Sequence, residues 1–127
     1  MRTFRRKSVR EKDIEKSILE WLNYQPGVYA FKVNTTGIFD PSKGVYRTVK
    51  NKYIALGCAD IIGVLPAGIF LAIEVKTPTT IKRYLNSPTP SDLRQRQFIT
   101  LVRLKMGVAM CVSSLDEVIE ALKPWIK

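Results

Sequence analysis

Gly57-Cys58-Ala59-Asp60-Ile61-Ile62-Gly63-Val64-Leu65, then Pro66-Ala67-Gly68, then Ile69-Phe70-Leu71-Ala72-Ile73-Glu74-Val75-Lys76 is the stretch that decides the fold. Two β-branched apolar runs flank a Pro/Gly break, which predicts two antiparallel strands joined by a tight loop. With the loop centred on Ala67, Leu65 faces Ile69, Ile62 faces Ala72 and Asp60 faces Glu74. Directly paired positions hold their Cβ atoms roughly 4.5–5.5 Å apart, so like charges there repel unless something positive lies between them. The two-residue period sends Glu74 and Lys76 to the face that Asp60 occupies. Two hard oxygen donors beside one amine suit a Mg²⁺-like ion and a phosphate or water. Each piece alone is common: an Asp opening a strand is often a turn residue, and Glu-x-Lys is often an exposed mixed-charge edge. The joint register in an apolar setting is what points to a site.

The chain has 127 residues, 46% of them hydrophobic and 25% charged, which predicts one globular domain over 1–127. No apolar run approaches the roughly 18 residues of a membrane span. The basic start, Met1-Arg2-Thr3-Phe4-Arg5-Arg6-Lys7, is not a signal peptide, so a soluble, intracellular, cytoplasmic protein is expected. Twenty-one Lys plus Arg against 11 Asp plus Glu give a net charge of +10, which suits a polyanion as partner or simply a basic surface. With no histidine and two cysteines, Cys58 and Cys111, a structural zinc site and Ser/His/Asp or Cys/His triads are excluded. Any catalysis must use carboxylates, lysine, hydroxyls or a hard metal.

Residues 1–9 read as a basic, flexible tail, attractive to phosphates or merely a disordered terminus. From Arg10 to Asn23 the pattern is helical, with Ile14, Ile18, Leu19, Trp21 and Leu22 on one face. Glu11 falls in the middle of that face and Glu15 inside it. Glu11 suits either a first-turn acid favoured by the helix dipole or a third acid aimed at Asp60 and Glu74, with Glu15 the alternative for that role. Gln25-Pro26-Gly27 ends the helix, and 28–34 reads as a strand. Residues 35–52 read as a long loop whose Lys43, Arg47, Lys50 and Lys52 would make a phosphate-contacting arm.

Three prolines within 77–90 argue against a regular element there, and Lys82, Arg83 and Tyr84 offer two charges and a stacking ring beside the proposed site. Ser91 suits an N-cap, Asp92 a first turn, and Gly107 the position just past the helix end. Phe98, Ile99, Val102 and Met106 share a face of that helix. Gln95 lies at its centre, where a polar cluster would satisfy its amide, with Gln97 the second choice. Val108–Val112 reads as a buried strand, and Ser114 to Glu117 has capping-box spacing that opens a last helix.

This order and these charges resemble the PD-(D/E)XK nuclease superfamily and, within it, the VRR-NUC family with its small standalone phage and bacterial members. The likeness runs from about Glu11 to Ala121. It rests on Gly57 to Gly63 with Asp60, on Ile73-Glu74-Val75-Lys76, on Glu11, and on Gln95 through Phe98-Ile99 to Gly107-Val108-Ala109. The resemblance implies an α/β restriction-endonuclease-like core, αβββαβ, with a mixed sheet flanked by helices. It implies a nuclease in which Asp60, Glu74 and the Val75 carbonyl hold Mg²⁺ or Mn²⁺, Lys76 positions or activates water, and Gln95 is the glutamine that follows the motif, with Glu11, or Glu15 in its place, adding a direct or water-mediated metal contact. The family's proline before the Asp is Ala59 here, a departure that removes no donor. Branched DNA such as a Holliday junction or flap, a homodimer, and work in replication, recombination or repair are implied likewise. The rival readings are a basic nucleic-acid-binding module without chemistry and a nuclease-fold subunit of a larger assembly.

Overall fold

The computed structural model describes residues 10–33, 38–47, 53, 55 and 57–126. In chain order the elements are α1 (Glu11–Tyr24), β1 (Tyr29–Lys32), β2 (Ile38–Asp40), β3 (Val45–Arg47), β4 (Ile61–Leu65), β5 (Ile69–Val75), α2 (Pro78–Asn86), α3 (Pro90–Leu104), β6 (Val108–Val112) and α4 (Leu115–Leu122). Four strands form one sheet in the order β1-β4-β5-β6, and β2 pairs with β3 separately. The β1–β4 and β4–β5 pairs are antiparallel, whereas β5–β6 is parallel. A parallel pair needs a crossover, and α2 and α3 provide it.

The central hairpin has the register expected from its loop chemistry. Leu65 pairs with Ile69, Ile62 with Ala72 and Ile61 with Ile73. A single 3₁₀ turn, Pro66–Gly68, closes it, with Ala67 left-handed at φ 68°.

Alternation along the strands splits the sheet into two faces. One face sends Ile61, Leu65, Leu71, Ile73, Val75, Val108, Met110 and Val112 against Ile14, Ile18 and Leu22 of α1 and Val118 and Leu122 of α4. Each such side chain, fully buried, is worth about 1.5–3 kcal/mol, so this face anchors the fold. The other face is covered at β5 and β6 by α3, whose Ile99, Phe98 and Val102 pack on Ala72 and Ala109. Asn23 ties the end of α1 to β1, donating to the Ala30 carbonyl and accepting from the Ala30 N–H, both at 2.9 Å.

Four local expectations are corrected. The segment 77–90 holds a helix, α2, because its prolines punctuate rather than interrupt. Pro78 occupies the first turn behind a Thr77–Thr80 capping box, where a missing N–H costs nothing. Thr89 rather than Ser91 caps α3, accepting from the Asp92 N–H while the Asp92 carboxylate accepts from the Thr89 N–H. The long loop contains the β2–β3 hairpin, turning through Pro41–Gly44 with Gly44 at φ 63°. Past α3 the left-handed residue is Met106, at φ 70°, not Gly107. Gly107 serves close approach instead, since a Cβ there would lie 2.6 Å from Val102 Cγ1.

Candidate functional site

The hairpin register carries Asp60 and Glu74 to the open end of β4 and β5. The Asp60 carbonyl accepts from the Val33 N–H at 2.7 Å, and its Oδ2 accepts from the Val75 N–H at 3.0 Å. An extended residue points its N–H and C=O to the same edge, so the Val75 carbonyl also faces the Asp60 side. Glu74 is only 2% exposed. Its Oε1 lies 3.7 Å from Lys76 Nζ, and its Oε2 is buried without a donor. Burial, then the charge of Asp60, raises the Glu74 carboxyl to about 9 against the pull of Lys76. A hydrogen bond to Asp60 and the charge of Glu11 are smaller contributions in the same direction.

Helix α1 brings two more acids. Glu11, Glu15 and Asp60 each present an oxygen within 4.8 Å of the others, a separation one cation can bridge. Burial and then the Asp60 charge raise the Glu11 carboxyl as well. Glu15 is buried and committed to Lys32, whose Nζ lies 3.0 Å from its Oε1. Strand alternation places Lys32 on the α1 side with Ala30, so this contact had a sequence signal that the reading of 28–34 as a plain strand passed over.

Lys76 is buried and held from behind by Asp92. Its Nζ donates to Asp92 Oδ1 at 3.3 Å. Arg83 donates to the same carboxylate through Nε at 3.0 Å and Nη2 at 3.1 Å. These cations and the Thr89 N–H hold the Asp92 carboxyl well below the usual carboxylate range despite its burial. Asp92, read from the sequence as a first-turn acid, is thus also the anchor of the Lys76 ammonium. The contact spans 16 residues, and no local pattern announces it.

Gln95 sits one turn before Phe98 and Ile99, and its Oε1 is, with Glu74 Oε2, one of two buried side-chain oxygens without a partner among the described residues. Gln97 is exposed. Gly57 lets the loop before Asp60 close onto this part of α3, because a Cβ there would meet the Arg94 backbone at 2.5 Å.

Of the residues expected to touch DNA, Tyr84 is corrected: its ring is buried, with Lys76 Nζ 5.7 Å and Arg96 Cζ 5.5 Å from its centroid. It faces inward because α2 is a helix that turns it onto the sheet, so it offers no ring for stacking. Arg83 is engaged with Asp92, while Lys82 is exposed. Lys43 is exposed in the β2–β3 turn, Arg47 belongs to β3, and Lys50 and Lys52 lie outside the described residues. Burial raises both thiols, Cys111 to about 12, which leaves neither as a nucleophile near neutral pH. Among the described residues no helix is long and apolar enough to cross a membrane.

No protein-family model matches the sequence, and no curated protein does. Among solved structures the chain is similar to one titled "VRR_NUC domain protein", with a TM-score of 0.56 and 16% identity over 94% of this chain and 89% of that one. With its four-strand mixed sheet flanked by helices, the chain has a VRR-NUC-like α/β fold.

Proposed function

We propose that the chain is a divalent-cation-dependent DNA nuclease that hydrolyses phosphodiester bonds. The observation that carries this reading is the Asp60–Glu74 pair meeting Lys76 at the sheet end, with Glu74 Oε2 buried and lacking any donor. Acids in such a setting need a cation or a proton. The all-oxygen cluster of Glu11, Glu15 and Asp60, with the raised Glu74 carboxyl beside Asp60, fits a hard divalent ion such as Mg²⁺ or Mn²⁺.

Asp60, Glu74, the Val75 carbonyl and Glu11 are the residues that would hold it, with Glu15 the alternative to Glu11. Because Glu15 is committed to Lys32, Glu11 is the better donor of the two. When bound, the ion supplies Lewis-acid charge neutralisation at a phosphodiester and eases deprotonation of water. Lys76, fixed by Asp92, presents a localised positive charge where negative charge develops on the phosphoryl oxygens. Gln95 offers its free Oε1 to orient a water or the Lys76 ammonium. The exposed Lys43 and Lys82, and Arg47, Lys50 and Lys52, would track the phosphate backbone.

Likeness to VRR-NUC proteins makes branched DNA the proposed substrate and a homodimer the proposed form. The test is cleavage of duplex, flap and four-way-junction DNA in Mg²⁺ or Mn²⁺ by the wild type and by Lys76→Ala. Metal-dependent cutting that falls by roughly 10²–10³ in the variant is expected. A non-catalytic binding module would bind DNA in both forms and cut with neither, and that result would overturn the reading.

A further inference from the structure

The sheet face that carries Asp60 and Glu74 is only half covered. Its side chains lie in rows across the strands: Tyr29, Val64 and Phe70 in one, and Phe31, Ile62 and Ala72 in the next. One more two-residue step, supported by the bond from the Val33 N–H to the Asp60 carbonyl, gives a third row of Val33, Asp60 and Glu74. Successive rows are separated by about 6.6–6.8 Å. Helix α3 covers the β5–β6 side of these rows. Away from α3, Tyr29 and Phe31 of β1 are 65% and 44% exposed, Val64 of β4 40%, and Phe70 near the start of β5 44%. The Tyr29 and Phe31 rings lie with centroids 5.8 Å apart and planes tilted by 43°.

A contiguous apolar surface one row from a cluster of acids marks an interaction site. The chain carries a net charge of +10, which favours a polyanion as the occupant of this face. A polyanion with flat apolar groups meets both requirements: its phosphates answer the net charge and its bases answer the rings. In a duplex those base faces are already stacked on one another, so the face fits unpaired nucleotides.

We propose that Tyr29 and Phe31 form a stacking platform for unpaired bases of a DNA strand whose adjoining phosphate reaches the Asp60–Glu74 row. The inference rests on the nuclease reading and deepens it, because it selects substrates with a single-stranded segment beside the cut. Phe31 is one row from the carboxylates, within the reach of one nucleotide, and Tyr29 takes the next base outward. Val64 and Phe70 extend the apolar floor.

The experiment measures binding of fluorescein-labelled oligothymidylate and of a duplex of equal length, both in EDTA so that no chemistry intervenes. It compares the wild type with Tyr29→Ala/Phe31→Ala and with the ring-conserving Tyr29→Phe/Phe31→Tyr. Loss of both rings should weaken single-strand binding by roughly 5- to 150-fold per base, the equivalent of about 1–3 kcal/mol at 1.4 kcal/mol per tenfold. Duplex affinity should change less than about twofold, and the conserving pair should bind like the wild type. Fluorescence of 2-aminopurine placed in the oligonucleotide should be quenched by the wild type and not by the double alanine variant.

Equal single-strand affinity in the wild type and the alanine pair would overturn the platform. So would a wild-type dimer in sedimentation equilibrium that becomes monomeric in the alanine pair, because the face would then be a self-interface. A wild type that discriminates single strand from duplex in the expected way but cuts no DNA in Mg²⁺ or Mn²⁺ would sink the nuclease reading and leave the platform standing.

Discussion

Two buried carboxylates share one ammonium in this molecule, and their surroundings are opposite. Asp92, at the start of α3, accepts from Lys76, from Arg83 twice and from the Thr89 N–H. Glu74, at the end of β5, has Lys76 at a looser 3.7 Å, the like charge of Asp60 opposite, and one oxygen without a donor. The first carboxyl is held below its ordinary value and the second is raised to about 9. Asp92 is complete within the protein and therefore positions Lys76. Glu74 keeps one oxygen unpartnered, and that oxygen is the opening the proposed cation site would use.

Removing the satisfied partner should have the largest effect. Asp92→Ala leaves the Lys76 ammonium buried without its anchor, and a loss of about 3 kcal/mol is expected, at the lower end for a broken buried pair because Arg83 is water-facing. Urea unfolding at neutral pH measures it. An unchanged midpoint would show that the Asp92 network does not hold this corner. Arg83→Ala should destabilise in the same direction and by less, since Lys76 and Thr89 still satisfy Asp92.

Next in size is the pH dependence, in which the two acids have opposite signs. Between about 4.5 and about 9 the folded metal-free protein keeps a proton on Glu74 that the unfolded chain releases, so stability falls as pH rises through that window. In Glu74→Gln most of this downward slope should be lost, leaving the smaller contribution of the raised Glu11 carboxyl, as seen in melting temperatures recorded at steps from pH 5 to 9. The contribution of Asp92 is present above its ordinary value of 3.8 and is lost as pH falls toward its lower folded value. A Glu74→Gln variant that kept the wild-type slope would place the titrating group elsewhere. The smallest effect is the most local: Gln97→Ala, on the exposed side of α3, should leave activity and stability within about 0.5 kcal/mol, whereas Gln95→Ala should lower cleavage.

The sequence was most legible where local chemistry and global pairing agree. Pro66-Ala67-Gly68 between two apolar runs fixes a register, and continuing it one residue past the Ile61–Ile73 pair sets Asp60 beside Glu74. The helical period placed Ile14, Ile18 and Leu22 correctly and left Glu11 and Glu15 open, because both acids do reach Asp60. Prolines misled at α2, since a first-turn proline and a helix-breaking proline look alike until the cap at Thr77 is weighed. Tyr84 followed that error, because only a helix turns its ring inward. Asp92 was hidden for a different reason: its capping box with Thr89 is local, but its hold on Lys76 exists only once the crossover returns α3 to the sheet. The exposed aromatic rows were visible as alternation in 29–32, yet their neighbourhood with the acids depends on β1 pairing with β4.

The central claim is that Asp60 and Glu74 jointly complete a divalent cation, and Mn²⁺ titration calorimetry at pH 7.5, repeated in buffers of different ionisation enthalpy, tests it most directly. Saturable binding with net proton release is expected, because the cation displaces the proton that Glu74 holds when metal-free, and Glu74→Gln should abolish the release while Asp60→Asn abolishes the binding. Absence of binding, or binding that survives both substitutions with its proton release intact, would contradict it.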